Sequence, residues 1–442
     1  MSEQKSASIR ITDLSSPQMR AFHMSWISFF LCFFAWFGTA PMMVVIQDEL
    51  SLSRGQISSI MVASVFLAFL ARLFVGVICD LFGPRLTFSA LLILAVIPLF
   101  GLFLSQSYET FLLSRFFIGA ISGAFVITQC HNIKMFHSNV VGSANAVAAG
   151  WGSMGASACQ VVVPLLFSLL LSFGLSNDLS WRVVMALVAL MLFICGVFYY
   201  RWTTDLPQGN YKDLGLGIWG AKKTEKWGFL DTLVDHRILI LFIIYGASFG
   251  VELTVNNIAA LYFKDAFGLS LKEAGLIAAS FGLLNLFARP LGGALADKIA
   301  RFHGLKGRVY ILSSLLLLEG VMLCFFSQQN LLWRSIAALM VFGLFVQMTQ
   351  GATFSLVPFV SKKAQGSAAG VVGAGGSFGA ILVGVIFQFE RINWQQGLFI
   401  CGLGVIGVSL LGTALRFSQQ EAFEAKKEMQ EALLIRQKSR EG

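Results

Sequence analysis

The stretch 70–85, LARLFVGVICDLFGPR, places one arginine inside an apolar run and ends in an acidic turn that contains glycine and proline. Arg72 precedes Asp80 by eight residues, which corresponds to about 12 Å along a helix that rises about 1.5 Å per residue. The apolar core of a membrane is about 30 Å thick, so an aspartate at its surface places the arginine close to the midplane. The stretch therefore predicts a transmembrane helix that buries a cation.

A second copy of this arrangement lies in residues 286–297, LFARPLGGALAD, where Arg289 precedes Asp297 by eight residues. Each member of the second pair follows its counterpart by 217 residues. A further repeat relates GSMGA at 152–156 to GSFGA at 376–380, at a spacing of 224 residues. Two repeats with nearly equal spacing predict two related halves of six helices, with a substrate site near the midplane between them.

Composition independently places the chain in a lipid bilayer. Of its 442 residues, 56% are hydrophobic and 12% are charged, and the mean hydropathy is +0.75. Soluble domains carry about 25% charged residues. We therefore expect an all-α membrane protein with twelve transmembrane helices in two pseudo-symmetric bundles. The apolar runs that predict these helices begin near Met24, Ile57, Leu86, Phe111, Val141, Trp181, Ile238, Ala274, Val309, Leu331, Ser367 and Trp394.

Polar segments divide the chain into two bundles, two tails and one long connection. The connection contains the lysine cluster Lys222, Lys223 and Lys226 and is the predicted hinge between the halves. The predicted parts are an N-terminal tail (1–23), a first bundle (24–202), the central loop (203–236), a second bundle (237–416) and a C-terminal tail (417–442).

The distribution of positive charge predicts the orientation in the membrane. On this division, 23 lysines and arginines lie on the side of the chain ends, six lie on the opposite side, and Arg72, Arg115 and Arg289 lie within spans. The positive-inside rule then places both termini in the cytoplasm of a multi-pass protein of the cell membrane. Because topology accounts for the net charge of +9, we predict no nucleic-acid partner.

The buried arginines are the first candidates for a binding site. An arginine at the bilayer centre costs about 2.5–3.5 kcal/mol on insertion scales, so each must face a partner or a cavity. Guanidinium offers a planar fork of donors that suits a small oxyanion. Pairing with a helix carboxylate or with backbone carbonyls is the alternative, but the duplication of Arg72 as Arg289 favours a ligand site. Arg115 has no counterpart, which favours helix packing or gating.

The glycine-rich segments allow two interpretations. The segment 373–379, GAGGSFG, superficially matches a nucleotide loop, but it lies in an apolar helix with no preceding strand. Small residues let membrane helices approach each other closely, which explains most of these glycines. The functional interpretation is that the backbone around Gly152 and Gly376 and the hydroxyls of Ser153 and Ser377 complete an anion site.

Glu252, in the segment 245–257, YGASFGVELTVNN, is the acidic residue best placed to exchange a proton within the membrane. The alternative is a satisfied carboxylate near the end of its span. Tyr245 and Phe249 from the same segment are predicted to wall the anion site.

The motifs of enzyme chemistry are not recognisable in this sequence, since no nucleophile elbow, paired-carboxylate arrangement or metal-ligand spacing occurs. We therefore predict neither catalysis nor a cofactor. The turn residues Asp80, Gly83 and Arg85, together with Asp297, are instead predicted to hold the halves together on the cytoplasmic side.

These segments resemble the nitrate/nitrite porters of the major facilitator superfamily, over nearly all twelve spans. The resemblance implies the major facilitator fold, and it implies that Arg72 and Arg289 clasp the anion while 150–156 and 373–380 correspond to the nitrate signatures. The signature usually has asparagine at the positions of Ser153 and Ser377, and the shorter hydroxyls leave more room around the anion. The most specific matches are 22–37 (FHMSWISFFLCFFAWF), 76–85 (GVICDLFGPR), 149–156 (AGWGSMGA), 251–257 (VELTVNN) and 278–293 (AASFGLLNLFARPLGG).

The resemblance is closest to the high-affinity nitrate transporter branch, on the seventh-span segment 251–257. It implies a function, secondary active transport of nitrate or nitrite by alternating access, with protons as the coupling ion. Two arginines facing one monovalent anion leave an excess positive charge whose return in the empty carrier is costly. Exchange of one anion for another avoids that step, so nitrate/nitrite exchange stays open beside symport. A carrier of a different small anion and a non-transporting nitrate sensor stay open as well. No protein partner is predicted.

Overall fold

A computed structural model describes residues 4–219, 228–362, 364–387 and 392–441 of the chain. These residues form helices and contain no β-strand. Eleven of the described helical segments are long and apolar enough to cross a membrane. One of them, Glu273–Ser327, has 55 residues, about 80 Å at about 1.5 Å per residue, and its backbone turns at Gly304 with φ 59° and ψ −145°. It therefore supplies two spans, which confirms the predicted twelve.

The first half is built from helices that are broken at several points. Ser16 accepts a hydrogen bond from the Met19 amide and Pro17 occupies the first turn, so the first helix begins seven residues before the predicted Met24. Short 3₁₀ turns interrupt the first and fourth spans at Ala40–Met42 and Gly119–Gly123. The α-helices are α1 (Pro17–Phe37), α2 (Met43–Glu49), α3 (Arg54–Phe82), α4 (Pro84–Leu94), α5 (Val96–Leu104), α6 (Tyr108–Ile118), α7 (Ala124–Met135), α8 (Val141–Ser153), α9 (Gly155–Ser172) and α10 (Asn177–Trp202).

The second half follows the central loop, whose lysine cluster Lys222, Lys223 and Lys226 lies outside the described residues. A 3₁₀ turn at Leu284–Leu286 interrupts the eighth span just before Arg289. The α-helices are α11 (Gly228–Val234), α12 (His236–Phe267), α13 (Leu271–Leu283), α14 (Ala288–Ser327), α15 (Leu332–Val360), α16 (Gln365–Ile386), α17 (Trp394–Ser409) and α18 (Gln419–Glu441), with further 3₁₀ turns at Gly217–Trp219 and Leu410–Ala414.

The two halves meet at two equivalent helix crossings. In the first, a Cβ atom placed on Gly76 of α3 would lie 3.2 Å from the Cα of Gly370 of α16. In the second, a Cβ atom on Gly293 of α14 would lie 2.5 Å from the Cβ of Ala146 of α8. Gly293 follows Gly76 by 217 residues and Gly370 follows Ala146 by 224, the spacings of the sequence repeats. The repeats therefore correspond to a structural pseudo-symmetry.

Both chain ends lie on one side of the bundle, which we call the tail side. Lys5 Nζ donates to the carbonyl of Ile133 at the end of α7 at 2.9 Å. Lys362, between α15 and α16, forms an ion pair with Glu428 of α18 at 2.7 Å. Lys5 and Glu428 line the same cavity, so the N-terminal segment and α18 approach each other across the two halves.

Candidate functional site

Arg72 reaches from the first half into the second. Its side chain belongs to α3 and is 1% exposed, and its Nη1 donates to the carbonyl of Gly373 in α16 at 2.8 Å. The guanidinium also lies over the rings of Phe125 and Phe249, at 5.6 and 5.3 Å from the ring centroids. Aromatic faces of this kind stabilise a desolvated cation.

Arg289 occupies the equivalent position in the second half and is 2% exposed. Its Nη2 lies 3.3 Å from Glu252 Oε2 and donates to Gln350 Oε1. Arg289 follows the break in the eighth span, where Phe287 departs from helical geometry at φ −124°. The Arg72 guanidinium lies over the ring of Phe125, and Phe125 and Arg289 line one pocket, so the structure brings the two predicted arginines to one region.

An aromatic cluster lies between the arginines. The ring of Tyr245 stacks on Phe249 at 5.4 Å and on Phe125 at 5.9 Å, with interplanar angles of 17° and 10°. It meets Phe354 edge-on at 5.0 Å. A Cβ atom on Gly376 would lie 2.7 Å from the Tyr245 ring, so this glycine lets the rings approach α16. A small pocket beside the cluster is lined by Phe125, Asn145, Ala146, Ala149, Tyr245, Arg289, Gln350, Gly351 and Phe354.

Glu252 is the centre of a hydrogen-bonded network and is 4% exposed. Its Oε1 accepts from Asn285 Nδ2 at 3.2 Å and from Gln347 Nε2 at 2.6 Å. Its Oε2 accepts from Gln350 Nε2 at 2.6 Å and faces Arg289. The carboxylate is thus satisfied, and it faces Nη2 of Arg289.

The glycine-rich segments meet the site at different points. Gly373 supplies the carbonyl that Arg72 binds, whereas Gly152 packs against the ring of Phe29. Ser153 Oγ donates to the Gly150 carbonyl of its own helix at 2.9 Å, and Ser377 is 2% exposed. A direct contact of Gly152, Ser153 or Ser377 with an anion stays a prediction.

Asp80 and Asp297 join the halves on the tail side through equivalent contacts, which we call the two latches. Asp80 of α3 accepts from the amides of Gly366 and Ser367 in α16 at 2.8 and 2.7 Å. Asp297 of α14 accepts from the amide and hydroxyl of Ser143 in α8 at 2.6 and 2.7 Å. Each carboxylate therefore faces the N-terminus of a helix in the other half, where amide donors and the helix dipole favour negative charge.

Each latch has its own supporting contacts. Asp297 also forms an ion pair with Arg308 at 2.7 Å, and both side chains are buried. Gly83, at φ 82°, turns the chain after Asp80 so that Arg85 binds Asp205, with the Arg85 amide donating to Oδ1 at 2.8 Å. Burial raises the pKa of the Asp205 carboxyl, although the amides of Tyr211 and Arg85 act in the opposite direction. The contacts of Gly83 and Arg85 lie within the first half, so they shape the latch without crossing to the second.

Arg115 makes its contact within the first half. Its Nη1 donates to the Trp36 carbonyl at 2.7 Å and joins α6 to the end of α1. This contact agrees with a packing role, one of the two roles its lack of a counterpart favoured.

The site contains residues that sequence reasoning missed. Phe125 and Phe354 complete the aromatic cluster, and Asn285, Gln347 and Gln350 complete the Glu252 network. A signal existed for the glutamines, because two amides three residues apart share one face of an otherwise apolar helix. The phenylalanines carry no comparable signal in a chain with 42 of them.

Comparison with known proteins identifies the family. Residues 25–384 match the Major Facilitator Superfamily profile. High affinity nitrate transporter 2.5 of Arabidopsis thaliana is 37% identical, over 94% of this chain and 83% of that protein. The chain belongs to the nitrate/nitrite porter family of the major facilitator superfamily. Nitrate/nitrite transporter NrtP of Nostoc punctiforme (strain ATCC 29133 / PCC 73102) is 30% identical to this porter, over 84% of the chain and 87% of the relative.

Solved structures support the same fold. FucP, in its outward conformation, superposes on this porter with a TM-score of 0.70 at 15% identity, covering 91% of this chain and 100% of FucP. The proton:xylose symporter XylE superposes with a TM-score of 0.68 at 13% identity, covering 91% of this chain and 96% of XylE. The porter is therefore an all-α membrane protein with the major facilitator fold.

Proposed function

We propose that this porter carries nitrate, and also nitrite, across the cell membrane by alternating access, with protons as the coupling ion. The observation that carries the proposal is the placement of Arg72 and Arg289, which are both buried at equivalent positions. Arg289 lines the aromatic pocket, and Arg72 lies over the ring of Phe125, another residue of its lining. Relatives that span most of the chain are named as nitrate transporters and nitrate/nitrite transporters. We also propose that the tail side is cytoplasmic, because most lysines and arginines lie there.

The anion site suits a small planar oxyanion. Nε of Arg72 and Nε of Arg289 are buried donors that have no hydrogen-bond partner among the described residues. The stacked rings of Phe125, Tyr245 and Phe249 lie beside the Arg72 guanidinium. A planar anion between the two guanidiniums would receive paired hydrogen bonds from both halves. Binding from both halves would couple the anion to their relative movement.

Proton coupling follows from competition at Arg289. In this structure Glu252 lies 3.3 Å from the arginine, so the empty site holds two positive charges and one negative. Arrival of one anion together with one proton on Glu252 leaves that total unchanged and frees Arg289 for the anion. The net charge of the site is then the same in the loaded and in the empty carrier. The empty carrier therefore does not have to return with two uncompensated positive charges, which would be costly.

The latches define the conformational step. Asp80 and Asp297 join the two halves on the tail side, and we assign them the role of closing it. Alternating access requires both contacts to break while the opposite side closes, so that the midplane site faces the cytoplasm.

Counterflow tests the proposed substrate. Purified porter in proteoliposomes, loaded with unlabelled nitrate, is expected to accumulate labelled nitrate, and external nitrite is expected to compete. Arg72→Lys and Arg289→Lys keep the charge but lose the planar fork, so each is expected to lower counterflow by at least about a hundredfold, a loss of about 2.7 kcal/mol. Arg334→Lys, at an exposed position, is the matched control.

Two results would contradict the proposal. Counterflow that tolerates either site substitution would indicate a carrier of another anion with a different site. Nitrate binding without counterflow by the unaltered porter would indicate a nitrate sensor. Normal amounts of monodisperse protein for both variants exclude misfolding as the cause of a loss.

A further inference from the structure

Glu319 is a carboxyl that the anion site does not use. It lies in the second span supplied by α14 and is 0% exposed. Its Oε2 accepts a hydrogen bond from Ser248 Oγ of α12 at 3.0 Å. Its Oε1 has no hydrogen-bond partner among the described residues, and none of the ion pairs found in that part of the chain involves it. Glu319 is therefore a buried acid without a cation.

The described groups that face Glu319 carry no positive charge. On α12, Glu252 lies one turn beyond Ser248 and interacts electrostatically with Glu319. On α15, the nearest polar group is the hydroxyl of Thr349, and the only charged residue of that helix, Arg334, lies near its opposite end. On α17, which packs against Gly320, the only titratable side chain is that of Cys401. Within the described part of the chain, the one charge near Glu319 is thus the negative charge of Glu252.

Two neighbouring carboxyls in a dry environment do not both ionise, because burial and mutual repulsion each favour a proton on one of them. Glu252 has Arg289 and three amides to stabilise its negative charge. Glu319 has only neutral hydroxyls beside it, those of Ser248 and Thr349. We propose that Glu319 is a second proton-binding group of the porter, which holds a proton while Glu252 is paired with Arg289 and exchanges it with Glu252 through Ser248.

The exchange is balanced in protons. When an anion displaces Glu252 from Arg289, the O–H bond of Glu319 breaks, Ser248 Oγ accepts that proton, and the hydroxyl proton of Ser248 passes to Glu252. Ser248 Oγ also donates to the Val346 carbonyl at 3.3 Å, and Ser248 precedes Glu252 by four residues, so the two side chains lie on one face of α12. Glu319 is left as a carboxylate and takes up a proton from hydronium on the side that is open to water. This inference rests on the proposed proton-coupled transport.

The test compares two modes of nitrate transport in the same proteoliposomes. Counterflow needs no net proton movement, whereas accumulation driven by an inward proton gradient does. Glu319→Gln keeps the shape of a protonated carboxyl but cannot exchange its proton. It is expected to lower proton-driven accumulation at least about tenfold more than counterflow, whereas Glu319→Asp, which still titrates, is expected to recover part of the proton-driven mode. Glu109→Gln, at an exposed position, is the matched control.

If the Glu319 carboxyl were purely structural, the two variants would rank in the opposite order in proton-driven accumulation. The isosteric Glu319→Gln would then equal the unaltered porter in both modes, and the shorter Glu319→Asp would be the poorer of the two; that result would overturn the inference.

Ser248→Ala gives a second measurement, because it is expected to slow the proton-driven mode selectively even if the Glu319 variants fold poorly. Failure of the unaltered porter to exchange nitrate would instead refute the proposed function. Exchange without proton drive would refute the coupling, and this inference with it.

Discussion

Arg289 has an internal carboxylate as its partner, and under the proposed function the transported anion would compete with that carboxylate. Glu252 holds Arg289 with an ion pair at 3.3 Å, and Gln347 and Gln350 hold Glu252 at 2.6 Å each. A buried ion pair that loses one charge leaves the other uncompensated, at a cost of about 3–5 kcal/mol. Protonation of Glu252 without an anion is therefore unfavourable, and so is an anion without the proton. The two events are expected to occur together.

Glu252→Gln tests this competition. The amide mimics a protonated carboxyl and leaves Arg289 free, so nitrate is expected to bind about tenfold more tightly at about pH 8, a gain of about 1.4 kcal/mol. Proton-driven accumulation of nitrate is expected to disappear in this variant. Titration of nitrate into purified porter by calorimetry measures the affinity, with Asp178→Asn at an exposed position as the control. Proton-driven accumulation identical to that of the unaltered porter would remove Glu252 as the coupling group.

At the level of single residues, the sequence marks the two arginines that the repeat duplicates, and it carries no such mark for the partners of Glu252. Arg72 and Arg289 stand out because one spacing relates both them and the aspartates that follow. The partners of Glu252 come from separate helices, 33 to 98 residues away. Such contacts depend on how the helices pack. Glu252 has no counterpart in the repeat, so the spacing of residues in the sequence does not predict its partners.

The crossings of whole helices depend on two glycines. A Cβ atom on Gly76 would lie 2.9 Å from the Gly366 carbonyl carbon, which is backbone and has no side chain that could move away. The same geometry recurs at Gly293 against Gly142. Small residues at such points let membrane helices approach closely. The number of spans and the repeat of these crossings could be predicted from apolar runs and spacing. The turn at Gly304, which separates two spans within one helical segment, required the backbone itself.

Gly76→Ala tests the first crossing, with Gly384→Ala of α16 as its matched control. Alanine favours a helix over glycine by about 1 kcal/mol, and a Cβ atom on Gly384 meets nothing within 4 Å, so the control is expected to be neutral or slightly stabilising. Overpacking at Gly76 is expected to cost about 1–3 kcal/mol and to separate α3 from α16 on the tail side. Thermal unfolding of the purified porter is expected to show opposite signs for the two variants. An equal effect of both substitutions would exclude a special role for this crossing.

Two latches join the halves of the molecule on the tail side. They occupy equivalent positions in the two halves but differ in their contacts. Asp80 accepts three hydrogen bonds from Gly366 and Ser367 at the start of α16. Asp297 accepts from Ser143 at the start of α8 and, in addition, neutralises the buried Arg308. Both latches connect opposite halves on the same side, so neither half can open that side without breaking both. If the halves move as proposed, the two latches are expected to open together, and the extra ion pair is expected to make the Asp297 latch the stronger one.

Asp80→Asn and Asp297→Asn are expected to open the tail side to different extents. Asparagine keeps the shape of aspartate but loses the charge that the helix N-termini favour, and hydrogen bonds to charged groups contribute about 1.5–3 kcal/mol. Asp80→Asn is therefore expected to raise the population of the tail-open state about tenfold or more. Asp297→Asn also leaves Arg308 buried without its counter-charge, so the larger effect is expected there, with a lower thermal stability. Distances between spin labels at the exposed positions Lys212 and Arg416 report the opening. Equal effects of the two substitutions would show that the Arg308 pair does not contribute to closure.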